Sequence, residues 1–256
     1  MLPILRDEIK EIQILIDNIN QDSFQLINKH QNDEEQKQVP AQNEQEIKAK
    51  EQKDREVAMT LEKIVQQDRP KYLEFRRLVD YHLESLKYQE MKDKPKLLPI
   101  TGQTKLLYKA TNDGFLAANF HQKCDNQGKT ISFILSDQGQ VFGGYTSLSW
   151  ASNNTQYKDN DAFIFSLSKN TLHKQYQNFD YAVYHGKDYL IVFGGGHDIR
   201  IYTGCNNNTS NLNQCNLGYA YLPPQGLKYG DQQATEYLAG SAQFKVIEIE
   251  VYQVIV

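Results

Sequence analysis

A chain of 256 residues with a formal net charge of −4 carries no electrostatic footprint for nucleic acid or an anionic membrane. No apolar run approaches the roughly 18–20 residues that a membrane-crossing helix needs, and acidic residues interrupt the opening MLPILRDEIK before a leader-like apolar stretch forms, so no membrane insertion is expected. Cys124, Cys205 and Cys215 make no disulfide framework; with sequons at Asn153, Asn207 and Asn208 read as products of Asn-rich sequence, the expectation is a reduced, intracellular, cytoplasmic chain.

Leu2, Leu5, Ile9, Ile12, Ile16, Ile19 and Leu26 recur on alternating three- and four-residue steps, with Ser23 as the polar interruption. That is an a/d seam over more than three heptads. One reading lays this helix on the protein's own core; the other offers a coiled-coil seam to a partner helix, from a second copy or a different chain. From 31 to 56 the composition turns to Gln, Glu, Lys, Asp and Asn around Pro40, a polar linker or solvated helix with nothing to bury. Helical pattern resumes at Val57, Leu61 and Ile64. After Pro70, which suits a first helical turn, Leu73, Phe75, Leu78, Val79, Leu83 and Leu86 supply an apolar face, with Arg76, Arg77 and Lys87 elsewhere. Lys94-Pro95 and Pro99 end it. Residues 1–95 therefore read as a helical, coiled-coil-forming region and 100–256 as a second domain.

The second domain opens with the densest stretch of the chain, 105–145. Asn112 or Asp113 is positioned to cap a helix in which Phe115, Leu116 and Phe120 form an apolar stripe, stopped by Gly128. Thr130 to Leu135 is β-branched and aromatic, Ser136-Asp137-Gln138-Gly139 is turn chemistry, and Gly143-Gly144 in the return strand marks a bulge or a close backbone approach. Strand-length runs follow at 162–167, 181–184, 189–193 and 199–203, with a hairpin turn at His185-Gly186-Lys187-Asp188. In the closing run Ile247, Ile249 and Val251 alternate with Glu248 and Glu250, which reads as a half-buried antiparallel strand with a solvated carboxylate face. The fold class is α+β: helices first, then two packed antiparallel sheets with short flanking helices.

Five ordered blocks carry a resemblance: Leu106 to Trp150 with Asp113-Gly114-Phe115, His121, Cys124-Asp125 and Val141-Phe142-Gly143-Gly144; Asp161 to Leu167; Phe193-Gly194-Gly195-Gly196-His197-Asp198-Ile199; Leu238-Ala239-Gly240-Ser241; and Phe244 to Tyr252. Over roughly 100–256 the chain resembles the TLDc domain, the family of oxidation-resistance and nuclear-receptor-coactivator-7-type proteins. The resemblance implies a two-sheet β sandwich acting as a non-enzymatic interaction module, with protection against oxidative damage and, for several relatives, binding and regulation of the V-type proton ATPase. It implies no contact residues; the pattern residues Asp113, Gly114, Phe115, His121, Cys124, Asp125, Gly143, Gly144, Gly194, Gly196, His197, Gly240, Glu248 and Glu250 read as structural. The Asn-rich 204–216 stretch departs from the family's compact pattern.

Read for chemistry, the chain offers little. His121-x-x-Cys124-Asp125 lacks the further ligands of a zinc site, and His197, Cys205 and Cys215 stand at no metal spacing. A Cys124–His121 nucleophile pair is one reading; a half-buried thiol beside a hydrogen-bonded imidazole is the other. Gly194–Gly196 is followed by a strand pattern, not the helix of a dinucleotide loop, so a tight turn is expected. No catalytic residue, metal or cofactor is expected. Two protein-binding readings remain: the interaction module, and a structural component of a cytoskeletal or ciliary assembly held by the N-terminal helices.

Overall fold

The computed structural model describes residues 50, 52–53, 68–89, 96–207 and 213–255. The chain divides into two compact units, Met1–Glu62 and Lys63–Val256. In the first, Lys50, Gln52 and Lys53 are helical and exposed. The Leu2–Leu26 seam, Val57, Leu61 and Ile64 lie outside the described residues.

In the second unit, helix α1 (68–86) precedes β1 (Gln103–Lys109), α2 (Ala110–Asp113) and α3 (Ala117–Cys124). Strands β2 (Thr130–Ser136), β3 (Val141–Thr146), β4 (Thr155–Tyr157), β5 (Phe163–Ser166) and β6 (Thr171–Lys174) follow. A 3-10 turn (Phe179–Tyr181) leads to β7 (Val183–His185), β8 (Tyr189–Phe193) and β9 (Ile199–Tyr202), then α4 (Gln232–Glu236) and β10 (Val246–Ile255). Among the described residues these strands pair antiparallel, in a six-stranded sheet ordered β1-β10-β2-β3-β5-β6 and a four-stranded sheet ordered β4-β7-β8-β9. This is the expected two-sheet sandwich.

Two cores follow from the period-2 alternation of the large sheet. Ile134, Phe142, Ile164, Ile249 and Val251 join Leu190, Ile191, Phe193, Ile199 and Ile201 of the small sheet in one cluster. Ile131, Phe133, Leu135, Val141, Phe163, Phe165 and Val254 form a second cluster with Phe75, Val79 and Leu86 of α1. Strand β2 is consequently buried at every position. The glycines of β3 serve close approach, with the strand in register and no bulge: a Cβ on Gly143 would run into the Ser132 carbonyl oxygen, and one on Gly144 would sit 2.6 Å from the Phe193 ring.

Four expectations are corrected. Asn112 and Asp113 end one short helix and do not start the next: the chain breaks at Gly114 (φ 95°), and Asp113 accepts the Lys109 amide at 2.9 Å and caps no following turn. Leu116 is exposed, and the buried face of α3 is Ala117, Phe120, His121 and Cys124. The helix at 68–86, assigned by its sequence to the N-terminal region, packs on the large sheet, with Phe75, Val79 and Leu86 fully buried. Finally, Glu248 and Glu250 are not solvated: their exposures are 0% and 1%.

Candidate functional site

The residues singled out by sequence fall into three structural groups. In the first, His121 Nδ1 lies 2.8 Å from the Asp125 carboxylate, and Nε2 lies 3.2 Å from the Gly186 carbonyl oxygen and 3.0 Å from that of Tyr189. His121 thereby ties α3 to the β7–β8 hairpin, and Ser152 Oγ donates to the other Asp125 oxygen at 2.6 Å. The ring nitrogens are spent on these acceptors, which leaves Cys124 without a base. Burial, and then the Asp125 carboxylate, push the Cys124 thiol up, against thiolate formation. Burial also raises Cys205, to about 12, and Cys215. All three thiols are free and buried, and no three-ligand metal cluster occurs among the described residues. Beside this group Gly114 offers its carbonyl oxygen to Tyr108 Oη at 2.6 Å, and Phe115 is half-buried, its carbonyl accepting the Gly204 amide.

The second group is the charged seat under α1. Arg76 reaches down from the helix to donate to Glu250 and also holds Asp80. Tyr252 Oη donates to Glu250 at 2.6 Å, and Lys109 Nζ stands 3.6 Å from it while donating to Tyr72 Oη at 2.7 Å. Glu248 accepts from the Thr111 amide at 3.1 Å, Thr111 Oγ1 at 2.5 Å and the Ile249 amide at 3.0 Å. Burial pushes its carboxyl up, opposed by the Thr111 bonds. No local window shows this burial: Glu248 is satisfied by Thr111, and Glu250 by Arg76, which lies 174 positions earlier in the chain.

The third group gathers Gly194, Gly196 and His197 around Asp198, to which the sequence assigned no role of its own. The glycine turn after β8 makes room for a buried acid: a Cβ on Gly194 would collide with the Asp198 carboxylate, and one on Gly196 with the Tyr219 ring. His197 adopts φ 66° in this turn and its Nε2 lies 3.0 Å from Arg200 Nη1; burial, then Arg200, lower its pKa to about 4. Asp198 accepts the backbone amides of Gly218, Tyr219, Ala220 and Tyr221 at 2.9–3.3 Å. Burial pushes its carboxyl up, to about 7, opposed by the four backbone N–H donors, which favour the carboxylate form. Gly240 (φ 86°) sits in the turn before β10, whose Ala239 carbonyl accepts Ser136 Oγ at 2.8 Å.

The Asp198 cradle fixes the 217–221 loop, and that loop fixes an aromatic surface. Residues 176–181, Tyr-Gln-Asn-Phe-Asp-Tyr, are all exposed. Tyr176 Oη and Gln177 Nε2 donate to the Gly218 carbonyl at 2.7 and 2.9 Å, Asn178 Nδ2 donates to the Tyr219 carbonyl at 2.8 Å, and Asn178 turns the chain at φ 49°. Tyr181 packs edge-on to Tyr219 at 6.3 Å, and Tyr219 to Tyr229 at 5.6 Å. Tyr176, Phe179, Tyr181 and Tyr229 each expose a large ring. Rigid, amphipathic rings on a hydrogen-bonded loop suit contact with another protein at low entropic cost. Tyr219 and Tyr221 stand at strand-like spacing, yet Tyr221 is buried and neither lies in a strand. The usable signal was three rings in a run of amides with no aliphatic residue among them.

A family model described as TLDc domain matches residues 85–255, more than half of the chain. No curated protein matches it.

Proposed function

We propose, for a chain that belongs to the TLDc domain family, that it binds the V-type proton ATPase, regulates it, and contributes through that binding to protection against oxidative damage. The observation that carries the reading is the rigid aromatic surface of Tyr176, Phe179, Tyr181 and Tyr229, seated on the Asp198 cradle. Buried thiols with raised pKa values favour a role in binding over thiol chemistry. In this reading the protein is intracellular, the β sandwich makes the contact, and the Leu2–Leu26 seam adds a partner helix. The test is affinity purification of the full chain from native cells, beside a Phe179→Ser/Tyr181→Ser variant that changes only exposed rings. V-type ATPase subunits should come with the wild type and fall about tenfold or more with the variant. Recovery of cytoskeletal or ciliary subunits in their place would favour the scaffold reading.

A further inference from the structure

The face of the large sheet under α1 combines an apolar floor with one demand for charge. Phe133, Phe165 and Val254 are buried there, and Glu250 lies among them at 1% exposure. Any cover that leaves this carboxylate unpaired in a dry interface is heavily penalised, so the face selects a cover bearing a cation. α1 meets that demand by sequence spacing: Phe75, Val79 and Leu86 enter the floor, and Arg76 beside the first anchor pairs with Glu250. Lys109 does not replace it, since it stands 3.6 Å away and is shared with Tyr72.

Several features make α1 a poor permanent cover. A buried ion pair returns little net stability compared with apolar packing, while it discriminates strongly between covers. Among the described residues, Arg76 Nε and His82 Nδ1 are buried in α1 without hydrogen-bond partners. Arg76 also divides its guanidinium between Glu250 and Asp80, a residue on the helix's own exposed side. Polar contacts along α1 include Lys71 Nζ donating to the Asp137 carbonyl at 2.7 Å, Lys109 Nζ donating to Tyr72 Oη at 2.7 Å, and the Gly102 amide donating to the Leu86 carbonyl at 2.9 Å.

We propose that this face is a helix-binding groove selective for an amphipathic helix with arginine next to its first large apolar anchor, and that α1 is its resident, releasable occupant. Release of α1 opens the groove to a partner helix of the same pattern, so α1 controls access in cis. The occupant is defined by charge complementarity to Glu250.

The full chain is tested in two ways. In native-state hydrogen exchange, α1 amides should exchange about tenfold or more faster than those of β2 and β10, as a separate opening. A fluorescent synthetic peptide of residues 68–89 should bind an Arg76→Met full chain about tenfold more tightly than wild type, because the resident has lost its latch. The same peptide carrying Arg76→Met should lose about a hundredfold in affinity for that chain. Exchange of α1 only together with the sheet overturns the proposal, and so does equal binding of the two peptides. The exchange measurement on wild type decides the matter if the Arg76→Met chain does not fold.

Discussion

The two faces of the six-stranded sheet are covered in different ways. Towards the small sheet, Phe142, Ile164, Ile249 and Val251 meet Phe193, Ile199 and Ile201 in an apolar interior, and Gly144 lets Phe193 approach the backbone. Towards α1, the same strands present Phe133, Phe165 and Val254 together with Glu250, Tyr252 and, from β1, Lys109. One face is specified by shape, the other by shape and charge. Strand β10 belongs to both, and its alternation reports correctly which residues share a face. It does not report what lies over that face. A carboxylate opposite a core residue is the pattern of a solvated strand until a helix carrying the counter-charge is laid across it.

The sharpest break of this comparison removes one cover and leaves the other. A chain beginning at Lys96 loses Phe75, Val79 and Leu86, each fully buried, and leaves Glu250 without Arg76. At ~1.5–3 kcal/mol for each buried side chain, the loss is roughly 5–9 kcal/mol, comparable with the whole stability of many domains. A chain beginning at Lys63 should melt like the full protein. The Lys96 chain should melt at a much lower temperature and bind a hydrophobic dye, with its inter-sheet core retained in part. Equal melting temperatures for the two would show that α1 is not part of the fold.

The fold was legible where local pattern and tertiary cover agree. The strands at Thr130, Val141, Phe163, Tyr189, Ile199 and Val246 announced themselves by β-branched and aromatic runs between turn residues, and the glycine triplet read correctly as a turn. Strands β1, β4 and β6 did not: QTKLLYK, TQY and TLHK carry too few apolar residues for a pattern, and pairing with β10, β7 and β5 makes them strands. α1 had the right period but the wrong address, because an amphipathic stripe says nothing about which surface it meets. Of the candidate site, His121, Cys124, the glycines and Asp198 were visible as residues, whereas the role of Asp198 and the 176–181 surface were not. Asp198 acts only through four amides some twenty positions onward, a relation no local window contains.

A smaller effect compares the two covers by pH. His82 lies at the α1 side and His185 at the inter-sheet side, between Trp150 and Tyr157. Among the described residues, His82 Nδ1 and both ring nitrogens of His185 have no hydrogen-bond partner. Burial lowers both imidazoles from 6.5 to about 4. The unfolded chain therefore takes up these protons first as pH falls. Stability is fully present above about 6.5 and is lost progressively towards pH 4, by on the order of 2 kcal/mol for each ring. Urea midpoints at pH 7.5 and 4.5 should show this loss, and His82→Leu or His185→Phe should each remove its own share. Comparing variant with wild type cancels the opposite-signed contribution of Asp198. If only His82→Leu flattens the profile, acid acts on the helical cover alone.

The smallest effect is expected at the cysteines, and it separates binding from chemistry. A peroxide-reducing thiol needs a lowered pKa, access to solvent and commonly a second thiol to resolve the sulfenic acid. Cys124 is fully buried on α3, its neighbour Asp125 opposes the thiolate, and the His121 ring is engaged by Asp125, Gly186 and Tyr189. Cys205 and Cys215 lie in the same inter-sheet core, with Cys205 pushed up to about 12. Replacing all three by alanine should change stability only through the lost packing of small side chains, about 1 kcal/mol at each site. The folded wild type should consume peroxide more slowly than the unfolded chain at equal cysteine concentration, since unfolding exposes the thiols and returns their ordinary pKa. The alanine variant should retain its partners in affinity purification. Turnover in the folded state above the unfolded baseline, abolished by Cys124→Ala alone, would instead assign a catalytic thiol to α3 and require α3 to open from the core to use it.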